Sequence, residues 1–195
     1  MTHIIPKQRE ELSELEPMLK MVEASMGFLP TSMLTMAHWP ELTQAFGGLG
    51  ATVLHSGELD AGLKQIIAFA VSNVAGCRYC QAHTANSAQK NSVSSEKIKA
   101  VFEFERSELF SEQEKAALRV AVHAGMVPNA VEAKHMTELS RHFSEKQAIE
   151  VVAVISLFGF LNRWNDTMAT TLESAPKNFA ADQLASHGWA AGKHE

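Results

Sequence analysis

Two cysteines, three residues apart, are the only cysteines of this sequence, in the stretch Cys77-Arg78-Tyr79-Cys80-Gln81-Ala82-His83. Two thiols at this spacing, with no third thiol available, suit a reversible dithiol/disulfide couple better than a framework of structural disulfides. The histidine that follows three residues after the second cysteine can move a proton on or off a sulfur. These residue types and their spacing indicate thiol-based redox chemistry.

The elements around the two cysteines predict how they are held. Ala75-Gly76 should end one helix, and a second should begin at or just before Cys77 and run to about Gln89. Both thiols then lie in a first helical turn, where unpaired N–H groups and the helix dipole favour a thiolate over a free thiol of pKa about 8.5.

Helical geometry also predicts which neighbours serve which sulfur. At about 100° per residue, His83 is a direct neighbour of Cys80 and reaches Cys77 only through water. Thr84 stacks above both cysteines and can donate a hydrogen bond to them, but it cannot carry a proton at neutral pH. Tyr79 is expected to pack or to act as a lid, with its hydroxyl as a minor proton donor.

Plainer interpretations of the same residues stay open. The cysteines can be two small buried apolar side chains, and a lone histidine such as His83 is more often a surface residue. Cys77, Cys80 and His83 together offer three of the four ligands that structural zinc requires. Among His38, His55, His123, His135 and His142, only His135 and His142 stand at a regular spacing, seven residues apart.

Composition restricts the class of protein. With 195 residues, 46% of them apolar and 20% charged, the chain is expected to form one domain with a real core. A net charge of -5 and a pI near 6.0 argue against nucleic acid as a partner. The longest apolar run, Ala148 to Leu161, contains Glu150 and is shorter than a membrane span of about 20 residues. Without an export signal, the chain is expected to be cytoplasmic.

The periodicity of apolar residues predicts an all-α fold. Ser111 and Ser144 begin sequences with the form of a capping box, and Asn129 is expected to cap a helix between them. The predicted helices are 17–26, 32–37, one starting at Pro40, 59–74, 77–89, 94–104, 111–125 and 145–161, the last extended or followed by 162–171.

Three segments carry a resemblance to a known family. LKQIIAFAVSNVAGCRYCQAHT (Leu63 to Thr84) resembles the alkylhydroperoxidase D-like, or carboxymuconolactone decarboxylase, family, and more narrowly its longer peroxidase-related members. GFLPTSMLTMAHWPEL (Gly27 to Leu42) is similar to the segment that those members carry before the core. ISLFGFLNRWND (Ile155 to Asp166) is similar to the helix that follows it. The order and spacing of the three segments are much more specific than a Cys-x-x-Cys pair alone.

This resemblance implies a single alkylhydroperoxidase D-like domain over 1–195, with an N-terminal helical extension (1–57), a core (58–172) and a tail (173–195). It also implies a thiol peroxidase that reduces organic hydroperoxides or hydrogen peroxide. Cys80 would attack the peroxide oxygen, and Cys77 would resolve the sulfenic acid as a disulfide. No cofactor and no metal would be needed. The implied partners are an external dithiol reductant and further copies of the chain in a homo-oligomer.

One position departs from the family pattern. The usual proton relay begins at a glutamate twelve residues before the first cysteine, where this chain has Gln65. Gln65 can orient His83 but cannot hold its proton, so Gln65→Glu is expected to raise the rate. Many members also place the histidine one residue later, at the position of Thr84.

Four other acids are candidates to take the place of that glutamate in the proton relay. Glu58 and Asp60 fall near the far end of the preceding helix, whereas Glu150 and Asp166 lie on late helices that should pack against the site. Arg163 is expected either to pair with Glu150 or to act as a structural pin.

Two other functions remain as alternatives. The chain can be a non-enzymatic, redox-responsive or partner-binding helical protein, an interpretation that Gln65 favours. It is less suited to the decarboxylase chemistry of the family, because the decarboxylases lack the paired cysteines.

Overall fold

The fold is all-helical in the computed structural model, which describes residues 2–195 and contains no strand within them. The predicted fold class is confirmed. The α-helices are α1 (Glu16–Met26), α2 (Thr31–Met36), α3 (Pro40–His55), α4 (Ala61–Ala75), α5 (Arg78–Lys90), α6 (Ser95–Ala100), α7 (Glu112–Gly125), α8 (Ala133–His142), α9 (Glu145–Met168) and α10 (Ser174–Gln183). Short 3-10 turns cover Arg9–Glu11, Ser13–Leu15, Val101–Glu103, Ala185–His187 and Gly192–His194.

Helix α4 lies at the centre of the molecule, packed against α5, α7 and α9. Every residue from Ile66 to Val71 on this helix is buried, which explains why its sequence is apolar on nearly every face. A second, smaller apolar cluster joins α1 and α2 to the N-terminal turns through Leu12, Leu15, Leu19, Met33 and Ala37. The dithiol helix α5 therefore rests on the most buried helix of the fold.

Side-chain caps start two of the helices where the sequence predicted them. Ser111 and Ser144 each form a full capping box. The expected cap at Asn129 is wrong: its side chain accepts a hydrogen bond from the Val131 backbone at 2.9 Å, and α8 begins later, after Glu132. An Asx turn at Asn129 competes with the helix start, as short polar side chains commonly do.

A buried ion pair ties three parts of the fold together. Lys64 on α4 donates to the carbonyl oxygens of Val53, at 2.9 Å, and Ser56, and its Nζ lies 3.4 Å from a carboxylate oxygen of Glu150 on α9. Glu150 also accepts from two backbone N–H groups just before α4, at 2.8 and 3.0 Å. Lys64, not Arg163, is thus the partner of Glu150.

Arg163 has a local role instead. Its guanidinium donates to the backbone carbonyl of Gly159, one turn earlier on α9, at 2.9 Å.

The C-terminal segment crosses the start of α5. Helix α10 packs along α5, and the Trp189 indole donates to the backbone carbonyl of Arg78 at 3.2 Å. The last residues of the chain fold back onto the start of this segment, where the Leu172 backbone N–H donates to the carbonyl of His194 at 2.9 Å. The residues expected to form a tail are therefore part of the surroundings of the dithiol. In the part of the chain described, no helix has the length and apolar character needed to cross a membrane.

Candidate active site

Cys77 is the N-cap residue of α5, immediately before the first helical residue. Its backbone is extended (φ -76°, ψ 102°), and its sulfur accepts a hydrogen bond from the Cys80 backbone N–H at 3.4 Å. This is the geometry in which an N-cap side chain satisfies an unpaired N–H of the first turn. Both cysteines are free thiols, and both are buried, Cys77 at 0% and Cys80 at 2% exposure.

The two thiols differ in acidity because they differ in surroundings. Hydrogen bonding from the Cys80 thiol, helped by backbone N–H groups, lowers the pKa of Cys77 although burial opposes it. Burial, together with the hydrogen bond to Cys77, raises the pKa of Cys80. The first proton that the pair loses therefore comes from Cys77.

Two further polar side chains contact Cys80. The Asn165 amide, on α9, donates to the Cys80 sulfur at 3.5 Å. The Thr84 hydroxyl donates to the Cys80 backbone carbonyl at 2.7 Å. The expectation that Thr84 donates to the thiols is wrong, because its hydroxyl bonds back to its own helix, as serine and threonine often do in helix interiors.

His83 is bound by a carboxylate of the C-terminal segment. Its Nε2 lies 2.5 Å from Oε2 of Glu173, the residue that precedes α10. The other carboxylate oxygen of Glu173 accepts from the Tyr79 hydroxyl at 2.8 Å and from the Thr31 backbone N–H at 2.5 Å. Three groups, two from α5 and one from the start of α2, thus meet at one carboxyl group.

The expected contact between Gln65 and His83 is absent from the structure: no hydrogen bond joins them within residues 2–195. Gln65 is buried on α4, but Nε2 of the imidazole is taken by Glu173. The carboxylate next to His83 is thus Glu173, from the C-terminal segment, and not a group at position 65.

Electrostatics keep Glu173 ionised. Burial disfavours its charge, but the His83 imidazole and the backbone N–H groups outweigh this effect and hold the pKa of Glu173 below its usual value of 4.5. Tyr79 stacks on the His83 ring, with centroids 4.2 Å apart, and burial beside Glu173 raises the pKa of this phenol. Tyr79 therefore packs on the His83 ring and also donates a hydrogen bond to Glu173.

Sequence reasoning missed Glu173 and Asn165. Glu173 stands 90 residues after His83, and Asn165 stands 85 residues after Cys80. No spacing rule links residues so far apart. The local signal is weak: Glu173 stands three residues before Pro176, and glutamate is not a preferred helix N-cap.

An apolar groove of about 1300 Å³ reaches Asp166, although neither cysteine lines it. It is lined by the ends of α4 and α7, the segment 126–131 and the face of α9 that carries Asn162, Arg163 and Asp166. A carboxylate oxygen of Asp166 lies within 4.8 Å of the Cys77 sulfur, as does a ring nitrogen of His194. Asp166 thus lies between the groove and Cys77. The side chains of Cys77, Asp166 and His194 are close enough together to hold a cation.

Known proteins resemble this chain over different lengths. The carboxymuconolactone decarboxylase family model matches residues 40–123. The uncharacterized protein YnjA of Escherichia coli (strain K12) is 29% identical over 110 residues, which are 56% of this chain and 60% of YnjA. This match therefore spans less than two thirds of that relative.

Solved structures match more of the chain. A cysteine-to-alanine variant of the debrominase Bmp8 in complex with 2,3,4-tribromopyrrole superposes with a TM-score of 0.87 and 38% identity, over 93% of this chain and 97% of the other. An uncharacterized peroxidase-related protein from Silicibacter sp. TM1040 has the same fold, with a TM-score of 0.78 and 17% identity over 89% of this chain and 92% of its own. Residues 40–123 therefore carry a carboxymuconolactone decarboxylase family domain, and the chain has the alkylhydroperoxidase D-like fold.

Proposed function

We propose that this protein is a dithiol reductase, which passes two electrons from Cys77 and Cys80 to an electrophilic atom of a small apolar molecule. One observation carries the proposal: the two thiols share the first turn of α5, and the Cys80 N–H donates to the Cys77 sulfur at 3.4 Å. A thiolate so stabilised is a nucleophile, and a second thiol stands within reach to displace whatever the first one gains.

The first candidate substrate is a brominated aromatic molecule. Bmp8, at 38% identity over nearly the full length of both chains, is a debrominase. In the reaction, the Cys77 thiolate attacks bromine, so that an S–Br bond forms, the C–Br bond breaks and the ring carbon takes a proton. Cys80 then attacks the Cys77 sulfur, the disulfide forms and bromide leaves. The substrate gains two electrons, and an external dithiol reduces the disulfide afterwards.

The second candidate is an organic hydroperoxide, the substrate class implied by the family resemblance. Here an S–O bond forms and the O–O bond breaks, and the alkoxide takes a proton. The second thiol then displaces water to form the same disulfide. The groove of about 1300 Å³ reaches Asp166, the neighbour of Cys77, and its size favours an organic molecule over hydrogen peroxide in either case.

The two sulfurs have different parts in this scheme. Cys77 is the more acidic thiol and lies within 4.8 Å of Asp166, a residue that lines the groove, which favours it as the attacking sulfur. The family resemblance implies the opposite order, with Cys80 attacking. That assignment stays a prediction, and single serine variants distinguish the two orders.

His83 and Glu173 carry out the proton transfer that the second step needs. His83, next to Cys80 on α5, takes the Cys80 proton when that thiol attacks, and Glu173 stabilises the resulting imidazolium at 2.5 Å. A positioned acid–base group of this kind contributes typically about 10²–10⁴-fold to a rate.

The test is a single-turnover reaction of the fully reduced protein with one equivalent of substrate. The substrates are a panel of brominated pyrroles and phenols that includes 2,3,4-tribromopyrrole, and separately cumene hydroperoxide. We expect one of the two substrate classes to react. Each substrate molecule should then oxidise two thiols and release one bromide or one alcohol. Loss much faster than with free cysteine at the same concentration supports an enzyme.

Variants assign the sulfurs. Cys80→Ser should still react once and keep a trapped oxidised Cys77, whereas Cys77→Ser should be inactive. The reverse pattern restores the order implied by the family. If neither substrate class reacts faster than free cysteine, the non-enzymatic alternative gains and the proposal is wrong.

A further inference from the structure

Three potential metal ligands from distant segments converge beside the dithiol. Cys77 precedes α5, Asp166 lies near the end of α9, and His194 lies in the last 3-10 turn. Their sulfur, carboxylate oxygen and ring nitrogen all lie within 4.8 Å of one another. We propose that the reduced protein binds a thiophilic divalent cation, of the Zn²⁺ type, through these three side chains.

The imidazole of His194 is oriented as a ligand. Its Nδ1 lies 2.8 Å from the backbone carbonyl of Thr170, and because a carbonyl only accepts, Nδ1 carries the proton and Nε2 carries the lone pair. A backbone carbonyl on the other ring nitrogen is the usual arrangement behind a metal-bound histidine.

That lone pair has no donor in the part of the chain described. His194 is 0% exposed, and Nε2 is a buried atom without a hydrogen-bond partner among residues 2–195. Its nearest charged neighbour is Oδ1 of Asp166 at 3.5 Å, which is itself an acceptor. Leaving such a nitrogen unpaired costs about 1–3 kcal/mol, so a group that accepts its lone pair is favoured at this place.

Charge and ligand type select the cation. The Cys77 thiolate and the Asp166 carboxylate together neutralise two positive charges, and the imidazole is neutral. One sulfur, one nitrogen and one oxygen ligand are typical of zinc with a fourth, open position, whereas Mg²⁺ and Ca²⁺ prefer oxygen alone. Lys193 holds the second oxygen of Asp166 at 2.8 Å, which leaves the first oxygen for the cation.

The site that the sequence suggested is less suitable. It would use Cys77, Cys80 and His83, but Nε2 of His83 is already bound to Glu173 at 2.5 Å. A cation there would have to displace a buried carboxylate, whereas His194 offers a free lone pair.

Binding would couple the metal to the redox state. The cation displaces the thiol proton of Cys77, forming a metal–sulfur bond and releasing one H⁺. In the Cys77–Cys80 disulfide this thiolate no longer exists, so the cation and the disulfide exclude each other. A bound cation therefore holds the dithiol reduced and unreactive.

The test uses metal alone, without any substrate. The full-length reduced protein, freed of metal by a chelator, is titrated with Cd²⁺ and with Zn²⁺ under anaerobic conditions. The sulfur-to-cadmium absorption band and calorimetry report the binding. We expect one cation per chain, one proton released, and no binding after oxidation to the disulfide.

Variants locate the ligands. His194→Gln and Asp166→Asn should each weaken binding at least about 10-fold, the loss typical of an altered metal ligand or its supporting shell. His83→Gln should bind as the wild type does, and so should His187→Gln, a histidine stacked on Phe102 and outside the cluster. Circular dichroism verifies that each variant is folded.

Two outcomes overturn the proposal. One is the absence of stoichiometric binding by the reduced wild-type protein. The other is binding that survives His194→Gln but is lost in His83→Gln or Cys80→Ser, which would put the cation on the other ligand set. Neither outcome depends on whether the protein reduces bromoaromatics or hydroperoxides.

Discussion

Two partly buried carboxylates of this molecule are paired in different ways. Glu150 binds the ammonium of Lys64 and two backbone N–H groups, and Lys64 in turn donates to two backbone carbonyls. Glu173 binds the imidazole of His83, a phenol and one backbone N–H. Both carboxylates lie on late parts of the chain and fasten them to earlier helices.

The difference lies in what the partner can do. The ammonium of Lys64 contacts Glu150 and backbone carbonyls with fixed positions, so the Lys64–Glu150 pair connects α3, α4 and α9 and has a structural role. His83 carries an imidazole, the side chain that enzymes use most often for proton transfer, and it stands one turn from Cys80. An acid that binds an imidazole next to a cysteine indicates a functional site. An acid whose partners are a lysine and backbone N–H groups indicates a structural role.

The largest expected effect is on the structural pair. Lys64→Met should lower the free energy of unfolding by about 3 kcal/mol, because it leaves a buried carboxylate and two backbone carbonyls without their cation. Denaturant unfolding measures it. The folded variant should still oxidise its two thiols at the wild-type rate.

A matched control for Lys64→Met is Lys146→Met, which removes an exposed lysine paired with Glu58. Its unfolding midpoint should not change, since exposed ion pairs contribute little. Equal midpoints for the two variants would show that the buried pair does not stabilise the fold.

A smaller effect, and one on rate, is expected at the other carboxylate. Glu173→Gln keeps the shape and the hydrogen bonds from Tyr79 and Thr31 but removes the charge that faces His83. Single-turnover disulfide formation should slow about 100-fold. Stopped-flow measurement of the two thiols follows the reaction.

The contrast with Lys64→Met is what makes Glu173→Gln informative. If Glu173→Gln were as fast as the wild type but less stable, both carboxylates would be structural and the distinction between them would disappear.

The smallest effect is expected at Gln65. Gln65→Glu restores the glutamate of the family pattern, which predicts a faster enzyme from the sequence alone. In the structure the His83 ring is already bound to Glu173, so we expect the rate to change by less than about threefold. A large increase would mean that His83 exchanges Glu173 for residue 65 during the reaction.

Local patterns were sufficient wherever the cause of a structure is local. The capping boxes at Ser111 and Ser144 are confirmed, as are the end of α1 at Gly27, with φ 79°, and the start of α3 at Pro40. The position of the dithiol at a helix start also follows from the glycine that ends α4 and the cysteine that caps α5. Each of these depends on residues within four positions of each other.

Local patterns failed where the partner is far away in sequence. The sequence offers Arg163, which lies on the same helix, as a partner of Glu150. In the structure Lys64 of α4 binds Glu150, and Arg163 donates to its own helix. Thr84 was expected at the thiols from its spacing, but a backbone carbonyl of its own helix is closer to its hydroxyl. Spacing predicts which side chains share a helix face, and it does not predict which group they bind.

The sequence by itself determined the chemistry on offer: two thiols at the start of a helix, a histidine one turn later, and a fold built from helices. Only the tertiary structure decided the partners. It brought Glu173 to His83, Asn165 to Cys80, and Asp166 and His194 to Cys77. The physical reason is that these contacts are made when α9 and the C-terminal segment pack across α5, and such packing is set by the burial of whole helices and not by any short stretch of residues.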